Sequence, residues 1–247
     1  MLLQATLNGP FTKADHPAVP ESVEELTRDA VACVAAGARA FHIHPRDADG
    51  RERLDPDVVD GVVSTVKAAC AMPVGVTTGE WIEPDPKRRC RFISQWRTPD
   101  YTSVNLSERG SVEVMRACLE AGIGIEAGVC TVEDAEKLVE SELGPLVTRI
   151  MIEPVDVPAV DAVALVDAIH AVLDLHGLVA PRLQHGDGEA TWVLLSDAVR
   201  RGIDTRIGLE DTLYDPDGTL TAGNSALVAA AVLLGAGGVT GPATGSR

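Results

Sequence analysis

Two histidines, His42 and His44, stand two positions apart in the segment AFHIHPRD, residues 40–47. Because side chains alternate along a strand, both imidazoles face one side of the predicted strand, while Phe41 and Ile43 face the other. Two nitrogen ligands on one face, at the end of a strand, suit zinc or a similar divalent metal. A pair of hydrogen-bonded core histidines has the same pattern, so a metal site here requires a third ligand elsewhere.

The candidate third ligand is Glu210, in the segment RIGLED, residues 206–211. This segment places Arg206 before an apolar interval and the acidic pair Glu210 and Asp211 after it. The apolar interval indicates a buried strand, whose charged side chains need partners or a function. Two histidines and one glutamate would leave a coordination position open for substrate. A solvated carboxylate and an ordinary surface ion pair are the simpler alternatives.

The elements that must position these residues follow a regular rhythm along the chain. A short apolar run followed by a helical pattern recurs eight times, as expected for repeated βα units. Capping signals support the helices, with Ser22 and Glu25 before the first, Gly37 after it and Thr131 before a later one. The predicted strands are residues 2–8, 40–45, 72–79, 102–107, 124–129, 149–154, 180–186 and 204–211.

These repeats predict one TIM (β/α)8 barrel, a single catalytic domain over residues 1–247. The length agrees with this fold, which typically needs about 250 residues. An open doubly wound sheet is the alternative, but the first βα junction lacks the GxGxxG fingerprint of a dinucleotide fold. In a barrel, strands 2 and 8 both flank strand 1, at about 4.8 Å per neighbour, so the three candidate ligands can meet.

Composition limits the classes of function. Hydrophobic residues make up 45% of the chain and aromatic residues 3%, which predicts an aliphatic core. The formal net charge of −16 opposes binding to nucleic acid. The cysteines number five and are scattered, which is typical of a reducing cytoplasm and predicts neither disulfides nor a cysteine zinc site. Without an apolar run of about 18 residues, we expect a soluble cytoplasmic protein rather than a membrane protein.

Several segments together resemble one enzyme family. The residues concerned are LNGPFTKADHPAVPESVEEL, AGARAFHIHPRDADGR, VGVTTG and RIGLEDTLYDPDGTLTAGNSALVAAA. They are similar to the β-keto acid cleavage enzymes, typified by 3-keto-5-aminohexanoate cleavage enzyme, over nearly the whole chain. The resemblance implies a TIM barrel in which His42, His44 and Glu210 bind a divalent metal, usually zinc. It also implies a reaction of a β-keto acid with acetyl-CoA, giving acetoacetate and a new acyl-CoA.

The same resemblance implies roles for the neighbouring residues. Asp211 would be the catalytic base, oriented by Arg206, and a hydroxyl at the end of strand 3 would stabilise an oxyanion. Of the two threonines there, we assign Thr78 to catalysis and Thr77 to substrate binding. A homo-oligomer is expected by the same resemblance.

Three further residues are predicted to contact the substrate or to lie near it. Asn8 and Asn105 end two of the predicted strands, and Phe11 follows in the loop after strand 1. Relatives that accept an amino-substituted substrate carry a glutamate at the position of Phe11, so this chain is expected to accept an uncharged or apolar tail. Among the other histidines, His185 at the end of predicted strand 7 is a candidate for contact with the substrate, and a position away from the substrate is the alternative. Glu80 and Trp81 depart from the expected glycine-rich loop after strand 3.

A dense cationic segment, DPKRRCRF at residues 85–92, follows the end of strand 3. An acidic protein that binds CoA must concentrate positive potential near its site, because the phosphates of CoA are anionic. Arginines bind phosphate through a bidentate fork and lysine acts as a point charge. We therefore predict that Lys87, Arg88 and Arg89 bind CoA, with a solvated helix face as the alternative.

Two other classes of protein fit part of the pattern. A metal-dependent hydrolase on a β/α barrel also uses an HxH pair, but it places the pair on the first strand and adds histidines from later strands. A barrel that binds a metal and small acids without turnover is the non-catalytic alternative. A cleavage enzyme fits more of the residues than either, because each position implied by the resemblance is filled.

Overall fold

A computed structural model of the protein describes residues 1–237. Strands and helices alternate along this part of the chain. The strands are β1 Leu3–Thr6, β2 Ala40–Ile43, β3 Val74–Val76, β4 Tyr101–Asn105, β5 Gly124–Val129, β6 Arg149–Ile152, β7 Arg182–Gln184 and β8 Thr205–Ile207. The α-helices are α1 Val23–Ala36, α2 Pro56–Cys70, α3 Pro86–Ile93, α4 Ser111–Ala121, α5 Val132–Glu140, α6 Ala159–Leu175, α7 Thr191–Arg201 and α8 Asn224–Leu233.

The strands form one parallel eight-stranded sheet with the order β7-β6-β5-β4-β3-β2-β1-β8. A parallel bridge between Leu183 and Asp204 joins β7 to the start of β8, and the Gln184 amide donates to the Asp204 carbonyl at 2.9 Å. These contacts close the sheet into a barrel. The predicted TIM (β/α)8 fold is therefore confirmed, and the open doubly wound sheet is excluded.

Apart from β5, which matches its predicted range, the observed strands are shorter than the apolar runs that predicted them. For example, β8 covers Thr205–Ile207, whereas the predicted strand continues to residue 211. In these strands the ladder ends earlier because the last residues of the predicted run already belong to the loops at the C-terminal mouth of the barrel. His44, Thr77 and Glu210 all lie in such loops. Only β4 begins before its predicted start, at Tyr101.

Side-chain caps fix the helix ends that the sequence indicates. The Ser22 hydroxyl accepts the Glu25 amide, and Glu25 accepts the Ser22 amide in return, a complete capping box. Gly37 ends α1 with φ at 129°, a conformation that residues with side chains rarely adopt. Thr131 caps α5 in the same reciprocal way, with Asp134. These predicted boundaries are confirmed.

The core lies between the barrel and the helices and is mainly aliphatic, as the composition predicts. The lower barrel interior, by contrast, is polar. Gln4 donates to Tyr101 Oη at 3.0 Å and to Glu126 at 2.8 Å, and Arg149 Nε lies 3.3 Å from Glu126. Within residues 1–237, none of the helices has the length and apolarity needed to cross a bilayer.

Candidate active site

The three predicted metal ligands meet at the mouth of the barrel. His42 Nε2 lies 3.8 Å and His44 Nε2 3.7 Å from Glu210 Oε1, and one ligand atom from each residue lies within 4.8 Å of the others. These separations exceed a hydrogen bond. They approach the roughly 3.4 Å expected between two atoms that each lie about 2.1 Å from one tetrahedral ion. Burial also lowers the pKa of His42 to about 3, which leaves a neutral imidazole able to bind a metal.

Close backbone approach holds Glu210 in this position. A Cβ atom on Gly9, whose φ is 54°, would lie 2.6 Å from Glu210 Cγ. A Cβ atom on Gly208 would lie 1.9 Å from the Thr6 carbonyl oxygen. The segment around β1 and its loop therefore packs closely against the turn after β8, and each of the two segments carries a glycine, Gly9 or Gly208, at the point of contact.

Asn8 holds the other side of the metal site. Its side-chain amide donates to the His44 carbonyl at 2.9 Å, and its oxygen accepts the His44 amide at 2.9 Å. Beyond the last backbone hydrogen bonds between β1 and β2, the Asn8 side chain takes the place of a backbone partner for His44. The Asn8 side chain, predicted to bind substrate, is thus hydrogen-bonded to the backbone of His44, a candidate metal ligand.

The buried Arg206 guanidinium bridges two consecutive carboxylates. Its Nη2 atom lies 3.0 Å from Glu210 Oε1 and 2.8 Å from Asp211 Oδ1. Arg206 and the two histidines overcome the effect of burial and hold the pKa of Glu210 well below its usual range. Burial raises the pKa of Asp211 in spite of Arg206. The pKa values of two neighbouring carboxyl groups are thus shifted in opposite directions, which suits the predicted roles of Glu210 as a metal ligand and Asp211 as a base.

Asp211 has two further neighbours. The Thr6 hydroxyl donates to Asp211 Oδ2 at 2.7 Å, and His185 Nδ1 lies 3.6 Å from Oδ1. On its other side, His185 Nε2 lies 3.2 Å from Glu153 Oε2. Burial raises the pKa of Glu153 to about 8. His185 therefore lies in the site, whereas Thr6 and Glu153 are site residues that the sequence did not reveal.

A carboxylate orients the second histidine ligand. His44 Nδ1 lies 2.5 Å from Glu52 Oε1, and the Trp81 indole donates to Glu52 Oε2 at 3.2 Å. The indole also stacks on His44, with ring centroids 6.0 Å apart. The Glu80-Trp81 departure thus supplies a wall for the metal site. Glu52 was not predicted, because nothing in its sequence context distinguishes it from a surface glutamate.

The two threonines after β3 have different environments. The Thr78 hydroxyl donates to the Ser103 carbonyl at 2.7 Å, which engages its only proton. Thr77 accepts the Gly79 amide at 3.0 Å, so its own proton is available to a ligand. Thr77 shares a strand face with Gly75, which lies under the Tyr101 ring inside the barrel. The geometry favours Thr77 over Thr78 for the catalytic role.

Two other predicted substrate contacts occupy the rim. Asn105 ends β4 and pairs with Gly128 of β5, at the mouth of the barrel. Phe11 is half-buried and packs against the hydrophobic core, while its carbonyl accepts Arg46 at 2.6 Å.

The cationic segment forms α3 and divides between two environments. The Arg89 side chain is 0% exposed, forms an ion pair with Glu108 and donates to the Thr78 carbonyl at 3.1 Å. This corrects the prediction that Arg89 binds CoA, because its guanidinium is committed to the protein interior. Lys87 and Arg88 are exposed, although Arg88 Nε lies 3.1 Å from Glu83.

Comparison with known proteins agrees with this geometry. The family model for the beta-keto acid cleavage enzyme matches residues 1–149 and 183–245. The chain belongs to the β-keto acid cleavage enzyme family. The matched residues include all three candidate metal ligands, Arg206 and Asp211. The resemblance deduced from the sequence segments is confirmed.

Similar proteins were found by sequence and by structure. The 3-keto-5-aminohexanoate cleavage enzyme of Fusobacterium nucleatum subsp. nucleatum is 31% identical over 70 residues, 28% of this chain and 26% of that protein. The enzyme of the same name from Acetoanaerobium sticklandii is 30% identical over 93 residues, 34% of each chain. These matches therefore span about a third or less of the curated relatives.

Among solved structures, apo ObcA superposes with a TM-score of 0.68 at 17% identity, covering 86% of this chain and 61% of that chain. The 3-dehydroquinate dehydratase of Geobacillus kaustophilus superposes with a TM-score of 0.65 at 12% identity, covering 94% and 89%. At these identities the likeness shows the barrel fold.

The contact between Glu52 and His44 leads to a prediction about metal affinity. Glu52→Gln removes the negative charge that orients His44, and residues in this position typically contribute about 10–100-fold to metal affinity. We expect the zinc affinity of Glu52→Gln, measured by competition with a chromophoric chelator, to fall by about 10–100-fold. Asp49→Asn, on an exposed position of the same loop, is the matched control. Equal zinc affinity in both variants would show that Glu52 does not support the metal site.

The raised pKa of Glu153 predicts a pH-dependent stability. Because the carboxyl pKa rises from 4.5 to about 8 on folding, the folded state binds more protons between these values. Stability attributable to this group is therefore lost as pH rises through that window. Glu153→Gln removes this pH dependence. The free energy of unfolding of the variant, relative to that of the wild type, should therefore increase from pH 5 to pH 8. Urea unfolding of both proteins measures this difference, and a pH-independent difference would contradict the assignment.

Proposed function

We propose that this protein is a metal-dependent β-keto acid cleavage enzyme. It condenses a β-keto acid with acetyl-CoA and cleaves the adduct to acetoacetate and a new acyl-CoA. The observation that carries this proposal is the Arg206 bridge, which places the base Asp211 directly beside the ligand Glu210. The family match supports the same reaction class.

His42, His44 and Glu210 would hold the divalent ion, zinc or another, since their donor set and spacing fit one. When bound, the ion supplies Lewis acidity, which polarises the carboxylate and keto oxygens of the substrate and acidifies the methylene between them. Asn8 and Glu52 hold His44 from its backbone and from its ring. The protein therefore arranges these ligands in advance.

Asp211 takes the methylene proton in this proposal. Arg206 and Thr6 each donate to a different oxygen of Asp211, which fixes the carboxylate while leaving further lone pairs for the substrate proton. The raised pKa of Asp211 brings the base closer to neutral pH. The carbanion then forms a carbon–carbon bond with the acetyl carbonyl of acetyl-CoA. Transfer of CoA within the adduct precedes the retro-Claisen cleavage that releases acetoacetate, and Asp211 returns its proton.

The Thr77 hydroxyl, whose proton is free, donates a hydrogen bond to the oxyanion that forms during carbon–carbon bond formation. Asn105 lies farther round the rim, where it contacts the substrate. Phe11 lies in the loop after β1, and its apolar ring agrees with an uncharged substrate tail.

Acetyl-CoA approaches across the rim formed by α3. ObcA has been solved in a ternary complex with a C4-CoA adduct and oxalate, and that structure superposes with a TM-score of 0.67 at 17% identity. Lys87 and Arg88 provide exposed positive charge for the phosphates of CoA, and a phosphate replaces Glu83 as the partner of Arg88. In this proposal the protein is a homo-oligomer and acts in the cytoplasm.

A hydrolase fits the described residues less well. Within residues 1–237, the metal-ligating group contains two histidines and one glutamate. His185 contacts Asp211 and Glu153 instead of joining this group. The histidines that a barrel hydrolase adds from later strands are thus not brought to the metal site in this part of the chain.

The central experiment separates the base from the metal ligands. Asp211→Asn should retain zinc but lower acetoacetate formation by about 10²–10⁴-fold, because a general base typically contributes that much. His42→Ala should lose both zinc and activity. Metal content and a coupled acetoacetate assay over a panel of β-keto acids measure the two effects. Wild-type protein that forms no acetoacetate would refute the proposed reaction, and an active Asp211→Asn variant would move the base elsewhere.

The proposed CoA rim leads to a separate prediction. Replacing both Lys87 and Arg88 with alanine should raise the KM for acetyl-CoA several-fold and leave the KM for the β-keto acid unchanged. Salt should diminish the difference, because exposed charges are screened. The control is a double replacement of Arg97 and Arg116, which are exposed on other parts of the helical shell. An unchanged KM for acetyl-CoA at low ionic strength would leave α3 as a solvated helix.

A further inference from the structure

One buried side chain on α8 connects the two segments that support the candidate metal site. Asn224 is the first residue of α8 and is 1% exposed. Its oxygen accepts the Leu209 amide at 2.7 Å, and its side-chain nitrogen donates to the Leu7 carbonyl at 2.7 Å. Leu209 directly precedes Glu210, and Leu7 directly precedes Asn8. Asn224 therefore bridges the loop after β1 and the turn after β8.

This bridge lies where backbone pairing between the two segments ends. The β1–β8 ladder reaches Ala5 and Ile207. Beyond it, the Glu210 amide donates to the Thr6 carbonyl at 3.4 Å, which is long for a hydrogen bond. Asn224 adds two hydrogen bonds of 2.7 Å at this point. Its side chain therefore fixes the separation of segments that the ladder holds only weakly.

A third contact fixes the orientation of the Asn224 amide group. Its nitrogen also donates to Asp29 Oδ2, on α1, at 2.6 Å. The nitrogen thus faces two acceptors and the oxygen faces one donor, which is the single consistent assignment of the two atoms. Both amide protons are engaged, and a buried polar group that loses its partner is costly. The side chain is therefore held rigidly between α1, β1 and β8.

The two bridged segments act on both sides of the candidate metal site. Glu210 is the candidate carboxylate ligand, and Asn8 is hydrogen-bonded to the backbone of His44. Next to Asn8, a Cβ atom on Gly9 would lie 2.6 Å from Glu210 Cγ, so the two segments are in close contact. A shift of either segment therefore moves Glu210 relative to the histidines. Metal–ligand distances have to be held within about 0.2 Å, so a small shift is enough to weaken binding.

We propose that Asn224 is a positioning residue of the metal site, which holds the Glu210 carboxylate at the distance from His42 and His44 that one ion requires. It acts through the backbone, by way of Leu209 and Leu7. This inference rests on the proposed function for the metal site alone and does not depend on the substrate or on the reaction.

The zinc affinity of the folded protein separates positioning from stability. Asn224→Ala removes both hydrogen bonds of the bridge. Its zinc affinity, measured by competition with a chromophoric chelator, should fall about tenfold, the lower end of the effect of groups that orient metal ligands. Cobalt in place of zinc gives a second readout, because the visible absorption of bound Co²⁺ depends on its coordination geometry. This absorption should differ between Asn224→Ala and the wild type.

Asp60→Ala is the matched control. Asp60, on α2, accepts the Arg97 and Thr98 amides at 2.9 Å each, in the loop before β4 at the opposite end of the barrel. Like Asn224, it connects a helix to the backbone of a loop through side-chain hydrogen bonds. Both alanine variants should therefore lose free energy of unfolding in urea, while Asp60→Ala keeps the zinc affinity and the cobalt absorption of the wild type.

A reciprocal exchange with Asp29 carries the test even where Asn224→Ala does not fold. Asn224→Asp keeps an acceptor for the Leu209 amide but presents its other oxygen to the Leu7 carbonyl and to the Asp29 carboxylate, so its zinc affinity should also fall. Adding Asp29→Asn replaces the facing carboxylate with an amide that can donate to the new carboxylate. The double variant should therefore recover part of the zinc affinity.

Three results would overturn the positioning role: wild-type zinc affinity in folded Asn224→Ala, an equal loss of zinc affinity in Asp60→Ala, or an absence of recovery in the exchanged pair. Wild-type protein that binds no zinc would instead refute the metal site of the proposed function, and this inference with it. Zinc binding without acetoacetate formation would refute the reaction alone and leave the role of Asn224 intact.

Discussion

The buried guanidinium of Arg206 is the interaction on which the candidate site depends. It contacts Glu210 and Asp211 directly, and its charge also acts on Glu153 across the barrel. Without this cation, three buried carboxyl groups would face one another, and each would be driven towards its neutral form. With it, Glu210 stays ionised, whereas burial still raises the pKa of Asp211, at the next position, in spite of the cation. Two adjacent carboxyl groups that share one guanidinium thus differ in pKa.

The closed barrel provides the second constraint, because the ligands come from both sides of β1. Thr6 pairs with His42 across one edge of the strand, while Gln4 pairs with Arg206 across the other. The side chains of β1 and of the loop after it therefore contact residues of both β2 and β8. Thr6 donates to Asp211, the candidate base, and Asn8 donates to the backbone of His44, a candidate metal ligand. These hydrogen bonds explain why positions 6 and 8 carry polar residues: their side chains fix Asp211 after β8 and His44 after β2.

The sequence predicted the fold and the chemical centre, because both leave local patterns. Strand alternation identifies His42 and His44, and an apolar interval before two acids identifies the segment from Arg206 to Asp211. Glu52 and Glu153 leave no such pattern, since only the three-dimensional register brings them to the site. The assignment of catalysis to Thr78 stays a prediction, while the geometry favours Thr77, because the sequence does not show which of the two hydroxyls keeps a free proton. Arg89 was wrongly assigned because a run of charges does not reveal that it shares the buried face of α3 with Ile93, four residues later.

The contact between Gly9 and Glu210 links two parts of the chain that are about two hundred residues apart. Glu210 occupies the volume that any side chain at position 9 would need. Gly9 therefore sets the position of a candidate metal ligand through the space that it leaves free. Variation in the first loop, which also carries Phe11, is consequently not independent of the candidate metal site. A change of substrate preference by redesign of this loop has to begin after Gly9, or else the carboxylate that completes the ligand set is displaced.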